Sequence, residues 1–384
     1  MTYVNRFLQK NIEDSLFKGK IIIVYGARQV GKTTLVKKIL EKFKENNNKS
    51  GLYLNCEIFS VQEVLMKAEP DVIKNFIGDH KLIVLDEAQR IENIGVTLKV
   101  MIDTYPDIQI IATGSSSFDL ANKINEPLTG RAERYILYPF STGEILQNYE
   151  LLELNAKLDN ILRFGLYPEV FFLPDDDAKK LLDEIGSNYL YKDILNFEEI
   201  KKSRVLVNLL QLLALQMGNE VSYSELALNL GINRLTVQKY MDILEQAFII
   251  YRLTAFSRNI RKEISKSIKV YFFDTGIRNS LIQNFNQLNL RNDTGALWEN
   301  FCIMERLKYC STHGIRANRY FWRTYDQKEI DYIEEREGRL FTYEFKWSDQ
   351  KGKIPLEFLK TYPNSEFQII NRENVFNVKN FVIN

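Results

Sequence analysis

The chain has 384 residues, enough for about two to four domains, and its apolar fraction of 45% and charged fraction of 26% are typical of a globular protein. The net charge is only +1, so local basic patches would have to hold any nucleic-acid partner. Three cysteines and two histidines argue against a disulfide framework, a Cys-rich zinc site and a Ser-His-Asp triad. No apolar run could span a bilayer and no secretory signal is evident, so we expect a cytoplasmic protein without membrane partners.

In chain order, residues 1–140 alternate apolar strands with helical stretches, which predicts an α/β core with a parallel sheet. The predicted strands are Ile21–Tyr25, Leu52–Asn55, Leu82–Leu85 and Ile108–Thr113. Residues 141–202 indicate an acidic helical lid, since residues 141–200 hold 13 acidic and 5 basic side chains, and a helix is expected to start at Asp175. Residues 203–283 are typical of a winged helix-turn-helix. Residues 284–384, after a polar linker at 284–294, predict a further α/β domain.

The first predicted strand leads directly into a phosphate-binding pattern, G-x4-G-K-[ST], and a helix follows it. Its glycines let successive backbone N–H groups point inward at phosphate oxygens, the lysine reaches the β and γ phosphates, and the threonine hydroxyl binds Mg²⁺. The residues expected to bind ATP are Gly26, Ala27, Arg28, Gln29, Val30, Gly31, Lys32, Thr33 and Thr34.

Polar residues follow two later strands of the predicted sheet. Asp86 is expected to hold Mg²⁺, and Glu87 to polarise the water that attacks the γ-phosphate. Thr113 or Ser115 is expected to sense the γ-phosphate or that water, and Arg131 is a candidate arginine finger. The alternatives are a solvated strand end for the acid pair, an ordinary turn for the hydroxyls, and a surface salt bridge for Arg131.

The segment 203–283 carries the residues of a helix-turn-helix. Ser222 and Glu225 fit a capping box, and Asn233 is placed to cap a second helix beginning at Arg234. On that helix Arg234, Gln238 and Lys239 are expected to face outward, where DNA would be met. Seven basic and two acidic residues at 251–280 give the predicted wing a positive charge suited to phosphates. The alternative is a packing lid or a protein-binding module.

A β-hairpin with paired carboxylates is predicted near the carboxyl end. If Glu337-Gly338 forms the two-residue turn, Asp331 lies opposite Glu344 and Glu329 opposite Lys346, all on one face of the hairpin. Two facing carboxylates need a cation between them, and a metal ion beside the lysine would supply one. The alternative is a solvated face with a weak salt bridge between Glu329 and Lys346.

Taken together, the chain resembles the prokaryotic AAA+-like P-loop ATPases with a C-terminal DUF4143 domain. The matching segments are Gly26–Thr33, Leu85–Gln89, Thr113–Ser116, Gly130-Arg131, Tyr138–Ser141, Gly165–Glu169, Phe273–Gly276 and Trp298–Asn300. Ala27 stands where the family usually has proline. The resemblance implies an α/β fold with an AAA+-type parallel-sheet ATPase core, a helical lid and winged helix, and a C-terminal restriction-endonuclease-like α/β domain. Asp331, Glu344 and Lys346 are similar to the PD-(D/E)xK nuclease residues, and Glu299 resembles the further acid that those folds place nearby.

The leading hypothesis is therefore an ATPase that requires Mg²⁺, coupled to a nucleic-acid-binding winged helix and a nuclease-like domain whose metal ligands would be Glu299, Asp331 and Glu344. ATP or ADP, DNA and a second copy of the chain are the candidate partners. A second hypothesis is a regulatory ATP-binding module whose C-terminal domains bind partners without cleaving nucleic acid. A small-molecule P-loop kinase is disfavoured because two further domains follow the core and no substrate lid is evident.

Overall fold

In the computed structural model, residues 3–47, 50–115, 128–189, 203–257, 268–324, 328–348, 356–378 and 381–382 are described. The chain forms two compact units, one of residues 3–139 with 246–248 and one of residues 140–245 with 249–384. Each unit is described by itself.

The first unit is built on a five-stranded parallel sheet in the order β2-β3-β4-β1-β5. Its strands are β1 (Ile21–Tyr25), β2 (Gly51–Asn55), β3 (Leu82–Asp86), β4 (Gln109–Gly114) and β5 (Ala132–Ile136). Its helices are α1 (Phe7–Asp14), α2 (Lys32–Asn47), α3 (Phe59–Met66), α4 (Pro70–Ile77) and α5 (Ile94–Thr104). The predicted strands are confirmed to within one residue at each end.

The three central strands of this sheet, β1, β3 and β4, are buried along their whole length and are mostly apolar. Such strands carry near-continuous aliphatic runs rather than an alternating pattern. Because β4 lies between β1 and β3, the polar residues that follow these three strands meet at one edge of the sheet.

The second unit begins with helices. They are α6 (Thr142–Ile145), α7 (Leu151–Phe164), α8 (Pro168–Phe171) and α9 (Asp175–Glu184), followed by a π-helical turn (Ile185–Tyr189). The predicted helix start at Asp175 is confirmed, and three acidic side chains occupy its first turn, where the helix dipole favours them.

In the described part of the predicted winged-helix segment, six elements lie between residues 203 and 272. They are α10 (Ser203–Leu215), β6 (Glu220–Val221), α11 (Tyr223–Leu230), α12 (Arg234–Gln246), β7 (Ile250–Ala255) and β8 (Ile268–Phe272). Asn233 caps α12 as expected, because its Oδ1 accepts the backbone N–H of Thr236 at 2.7 Å. The capping box predicted at Ser222 is wrong, since the Ser222 side chain makes no cap hydrogen bond on α11.

The strands among the remaining elements join β6, β7 and β8 in one seven-stranded sheet. The remaining elements are α13 (Thr275–Leu281), α14 (Thr294–Thr312), β9 (Asn318–Arg323), β10 (Glu329–Arg336), β11 (Arg339–Lys346), α15 (Leu356–Thr361) and β12 (Ser365–Asn371). The strand order is β12-β11-β10-β9-β7-β8-β6, and β7 pairs with β9 in parallel. One sheet therefore crosses the boundary predicted between residues 283 and 284.

The polar segment expected to be a linker is packed against its surroundings. The ring of Phe285 stacks on Phe164 at 5.6 Å, and the side chain of Arg291 is fully buried and bonds to Asp293 and Asn279. A short 3₁₀ turn, Leu288–Leu290, lies within it. Arg291, Asp293 and Asn279 thus satisfy one another inside the fold, whereas Asn286, Gln287, Asn289 and Asn292 are exposed.

The β10–β11 hairpin has the predicted register. Tyr332 pairs with Tyr343 and Arg336 with Arg339, on either side of a two-residue turn at Glu337-Gly338. Both turn residues have positive φ angles, 51° and 73°, as a type I′ turn requires. The hairpin therefore brings the predicted acidic residues of its two strands to the same level.

Candidate functional site

The loop after β1 has the backbone that a phosphate-binding loop needs. A Cβ on Gly26 would lie 2.3 Å from the carbonyl oxygen of Leu137, so only glycine fits there. Gly31 has a φ of +94°, and the side chain of Val30 is buried. Helix α2 begins at Lys32, so the loop runs directly into a helix N-terminus, where anions are favoured.

Two buried cations contact this loop. The Nζ of Lys32 donates to the carbonyl oxygens of Gly26 and Ala27, both at 2.8 Å. The guanidinium of Arg6, just before α1, donates to the carbonyl oxygens of Val30 at 2.7 Å and Tyr138 at 2.6 Å. Arg6 was missed in the sequence because nothing marks it except its fold position, 20 residues before the motif.

Asp86 is the centre of a hydroxyl network at the carboxyl edge of the sheet. Its Oδ2 accepts from the Thr33 hydroxyl at 2.7 Å and from the Tyr53 hydroxyl at 2.6 Å, and its Oδ1 accepts from Thr113 at 2.5 Å. Burial, followed by the hydrogen bond to Asp86, raises the pKa of Tyr53, so this phenol stays a donor. Tyr53 was missed because β2 carries no polar motif.

Glu87 is held in a specific orientation beside this network. Its φ of 56° is a left-handed conformation, uncommon outside glycine, and its backbone N–H donates to the Thr113 hydroxyl at 3.0 Å. The Gln89 amide donates to Glu87 Oε2 at 2.5 Å and to Ser115 Oγ at 3.1 Å. The expected hydroxyls of Thr113 and Ser115 thus both belong to the site, and Gln89, which the sequence analysis missed, connects Glu87 with Ser115.

The oxygen atoms at this edge suit a magnesium ion. Thr33 Oγ1 and Asp86 Oδ2 lie 2.7 Å apart beside the loop, and hydroxyl and carboxylate oxygens are hard ligands of the kind that Mg²⁺ takes. Thr34, next along the helix, is exposed, and Arg28 and Gln29 are partly buried in the loop.

Arg131 does not join this cluster. Its carbonyl oxygen accepts the backbone N–H of Ile21, the first residue of β1, so it lies at the amino edge of the sheet. The five residues of β1 separate that edge from the loop by about 16 Å at ~3.3 Å per residue. Its Nε bonds to Asp103 Oδ1 at 2.8 Å, and both side chains are more than 40% exposed. Within one chain, the surface salt bridge is therefore the correct alternative.

The basic residues of the helix-turn-helix region fall into two groups. Arg234 and Lys239 are exposed on α12, while Gln238 is partly buried. Three of the seven basic residues at 251–280 are engaged within the fold: Arg252 with Glu245 and Asp242, Lys269 with Glu299 and Glu329, and Arg278 with Asp293. Arg258, Arg261, Lys262 and Lys266 lie outside the described residues.

Four carboxylates of the carboxyl-terminal region gather on one face of the sheet, and we call them the acid cluster: Glu299 of α14, Glu329 and Asp331 of β10, and Glu344 of β11. Lys346 bonds to Glu344 Oε1 at 2.5 Å. The salt bridge anticipated between Glu329 and Lys346 is wrong, because Glu329 pairs instead with Lys269 of β8.

Burial and like charge govern the two hairpin acids. Burial, then the charges of Glu299 and Glu344, raise the pKa of Asp331 well above its usual range, although its Oδ2 accepts the backbone N–H of Phe345 at 2.8 Å. Burial also raises the pKa of Glu344, against the lowering effect of Lys346. The Oε2 of Glu344 is buried without a hydrogen-bond partner.

Lys269 and Tyr271 of β8 complete this region and were missed in the sequence. The Lys269 Nζ bonds to Glu299 Oε1 at 3.1 Å and to Glu329, and the Tyr271 hydroxyl also bonds to Glu299. Over the described residues, no group of three or more His, Cys, Asp or Glu side chains is arranged to hold a metal ion.

Three protein-family models together match most of the chain. Residues 18–146 match an AAA domain, residues 155–288 a domain of unknown function, DUF8612, and residues 294–383 a domain of unknown function, DUF4143. The chain thus contains an AAA domain and a C-terminal DUF4143 domain. The AAA domain contains the phosphate-binding loop, Asp86 and Glu87, and the DUF4143 domain contains the acid cluster.

Relatives of the chain come from bacteria and archaea. The Mycobacterium tuberculosis protein Rv2008c is 26% identical over 336 residues, 86% of this chain and 71% of that protein. The Methanocaldococcus jannaschii protein MJ1544 is 26% identical over 320 residues, 78% of this chain and 69% of that protein.

Solved structures that resemble the chain include AMPPCP-bound DnaA from Aquifex aeolicus, at 17% identity and a TM-score of 0.28, covering 64% of this chain and 89% of that one. Cdc6p from Pyrobaculum aerophilum resembles it at 13% identity and a TM-score of 0.30, covering 76% of this chain and 97% of that one.

None of the helices in the described part of this AAA-domain protein has the length and apolar content needed to cross a membrane.

Proposed function

We propose that this AAA-domain protein is a Mg²⁺-dependent ATP-hydrolysing switch. The observation that carries the proposal is the Asp86 carboxylate, which receives hydroxyl hydrogen bonds from residues of α2, β2 and β4 beside the glycine loop. A buried acid held by three hydroxyls is fixed in position, as an acid that helps to orient a metal ion must be. Glu87 lies next to it with an orientation fixed by Gln89 and Thr113.

Each residue then has a distinct task. Lys32 would exchange its bonds to the loop carbonyls for phosphate oxygens, while Thr33 and Asp86 would hold the magnesium ion. Bound magnesium would neutralise charge on the phosphate oxygens. The Glu87 carboxylate would accept the proton of the attacking water, and the Gln89 amide would keep that carboxylate from rotating.

The test is release of phosphate from ATP by the purified full-length chain with Mg²⁺. Lys32→Ala is expected to abolish turnover, because the loop loses the lysine that would contact the phosphates. Lys38→Ala, on the same helix and exposed beside Glu41, is the matched control and should leave turnover unchanged. Equal turnover in wild type and Lys32→Ala would refute the proposal.

We also propose that the helix-turn-helix region, α11 and α12, binds DNA as part of a winged helix. Arg234 and Lys239 are exposed on α12, the helix that would enter the major groove. Changing both to alanine should flatten the salt dependence of DNA binding by about one unit of slope per lost phosphate contact. Lys180→Ala, exposed beside Asp177 in the same unit, is the control. An unchanged slope would favour a protein-binding module instead.

A role for Arg131 as an arginine finger would require a second copy of the chain. Its position at the amino edge of the sheet keeps it from the phosphate loop of its own chain, whereas its exposure leaves it accessible to a neighbour. Sedimentation with ATP and Mg²⁺, comparing Glu87→Gln with its Arg131→Ala double variant, tests this. A monomer under these conditions would refute it.

For the DUF4143 domain we propose partner binding without cleavage. A second candidate, metal-dependent nucleic-acid cleavage through Asp331, Glu344 and Lys346, is favoured by the partnerless Oε2 of Glu344. The position of Lys269 among the acids opposes it, because an ammonium group already serves as a cation there. Cleavage of DNA or RNA with Mg²⁺ or Mn²⁺ that Asp331→Asn abolishes would establish the second candidate.

A further inference from the structure

The acid cluster contains a cation that belongs to the chain. Lys269 lies on β8, its side chain is 3% exposed, and its Nζ bonds to Glu299 Oε1 at 3.1 Å and to Glu329. The same ammonium group lies 5.5 Å from the centre of the Phe321 ring. These contacts come from α14, β10 and β9, so the lysine is enclosed by three elements rather than placed at a surface.

The charge balance explains why a buried lysine is stable here. Burial alone would lower the pKa of Lys269, but Glu299, Asp331 and Glu329 together raise it, so the side chain stays protonated. The acid cluster holds four carboxylates; among the described residues Lys269 and Lys346 are the lysines that bond to them, and Arg323 Nε lies 4.0 Å from Glu329 Oε2. Lys346 bonds to Glu344, whereas Lys269 lies between Glu299 of α14 and Glu329 of β10.

A divalent ion would need the carboxylate oxygens of Glu299 and Glu329 to which the Lys269 ammonium group now bonds. Magnesium and manganese bind carboxylates at about 2.0–2.2 Å and prefer several oxygen ligands, so they compete for the same lone pairs as an ammonium group. Within the described ranges no three acidic or other ligating side chains converge as a metal site would require. The residue types predicted to hold metal are therefore present, but their arrangement does not fit a bound ion.

We propose that the ammonium group of Lys269 is the resident cation of the acid cluster and excludes divalent metal ions from it. Glu299 and Glu329 are thus positioned by a salt bridge to β8, not by a metal ion. Lys269 joins β8, a strand within the predicted wing, to the β10–β11 hairpin. Removing its charge should convert the cluster into a site for a divalent cation.

The first test uses manganese binding to the full chain without nucleotide, measured by electron paramagnetic resonance. Wild type and Asp331→Asn should bind the same number of Mn²⁺ ions with the same affinity, because the acid cluster holds none. One ion bound by wild type and lost in Asp331→Asn would overturn the proposal, and this comparison needs no change at Lys269.

The second test removes the cation. Lys269→Met keeps the length of the side chain and should bind one more Mn²⁺ ion than wild type. Adding Asp331→Asn to Lys269→Met should abolish the gain.

Lys346→Met is the matched control, since it also removes one charge but leaves Lys269 between Glu299 and Glu329, and it should gain no site. Circular dichroism establishes that each variant is folded. No gain in folded Lys269→Met, or an equal gain in Lys346→Met, would overturn the proposal, and if Lys269→Met does not fold, the wild-type comparison decides. Neither test involves ATP, so failure here is distinct from failure of the ATPase proposal.

Discussion

Replacing Thr113 with valine tests whether the network around Asp86 positions the catalytic acids. Thr113 is fully buried on β4, and its hydroxyl donates to Asp86 Oδ1 at 2.5 Å while accepting the Glu87 backbone N–H at 3.0 Å. Valine has nearly the same shape, so Thr113→Val removes these two hydrogen bonds and leaves Asp86 Oδ1 and the Glu87 N–H without this hydroxyl.

The expected magnitude follows from the two bonds. A hydrogen bond to a charged group contributes about 1.5–3 kcal/mol and a neutral one about 0.5–1.5 kcal/mol, so the free energy of unfolding should fall by about 2–4 kcal/mol. Asp86 keeps its donors from Thr33 and Tyr53, so magnesium and ATP should still bind. If about 1.4–2.8 kcal/mol of this loss is added to the activation free energy of hydrolysis, kcat falls about 10- to 100-fold.

The assay is phosphate release at saturating ATP, with urea unfolding alongside. Thr97→Val is the matched control, because Thr97 is equally buried in the same unit but donates only to the carbonyl oxygen of Leu65, at 2.9 Å. That variant should lose about 1 kcal/mol of stability and keep its kcat. A kcat for Thr113→Val within about twofold of the control would refute the reasoning, since about 0.4 kcal/mol is too little for a lost charged hydrogen bond.

Gln89→Leu should lower kcat about tenfold with KM unchanged, because the Glu87 carboxylate loses its amide donor while Lys32, Thr33 and Asp86 are untouched; an altered KM at normal kcat would contradict this. Gly165→Ala should cost more than about 3 kcal/mol in urea unfolding, because its Cβ would lie 1.9 Å from a buried carboxylate, whereas Gly314→Ala, also at positive φ but in open space, should cost about 1 kcal/mol. Equal costs would refute the packing argument. Burial raises the pKa of Glu334, but the hydrogen bonds and charge of the Arg306 guanidinium outweigh burial and lower that pKa. The contribution of Glu334 to stability is therefore present above the usual glutamate pKa and lost as pH falls through the lowered value. Glu334→Gln should therefore be less stable at pH 7 and lose less on acidification, and parallel profiles of urea midpoint against pH would exclude this.

Local patterns in the sequence were sufficient for the loop and the hairpin. The glycine spacing after an apolar strand predicted the backbone at Gly26 and Gly31, and the two-residue turn predicted the pairing of Tyr332 with Tyr343 and of Arg336 with Arg339. Both depend on neighbours within about 15 residues, where strand and turn geometry leave few alternatives.

Long-range pairing could not be predicted in the same way. Lys269 is 60 or more residues from Glu329 and Asp331, and it meets them only because β7 and β9 pair in parallel to join two groups of strands. In the sequence it appears as one more basic residue of a predicted wing. Arg131 was misplaced for a related reason. It precedes β5, and it lies at the amino edge of the sheet because β5 pairs with β1 in parallel.

The central claim is that Glu87 takes the proton of the attacking water while Asp86, Thr33 and Lys32 hold ATP and magnesium. The most direct measurement is the identity of the nucleotide recovered from Glu87→Gln after incubation with ATP and Mg²⁺ and rapid removal of free nucleotide. Bound ATP is expected from Glu87→Gln and ADP from wild type, since only the proton acceptor is lost. ADP from Glu87→Gln in the wild-type amount would contradict it.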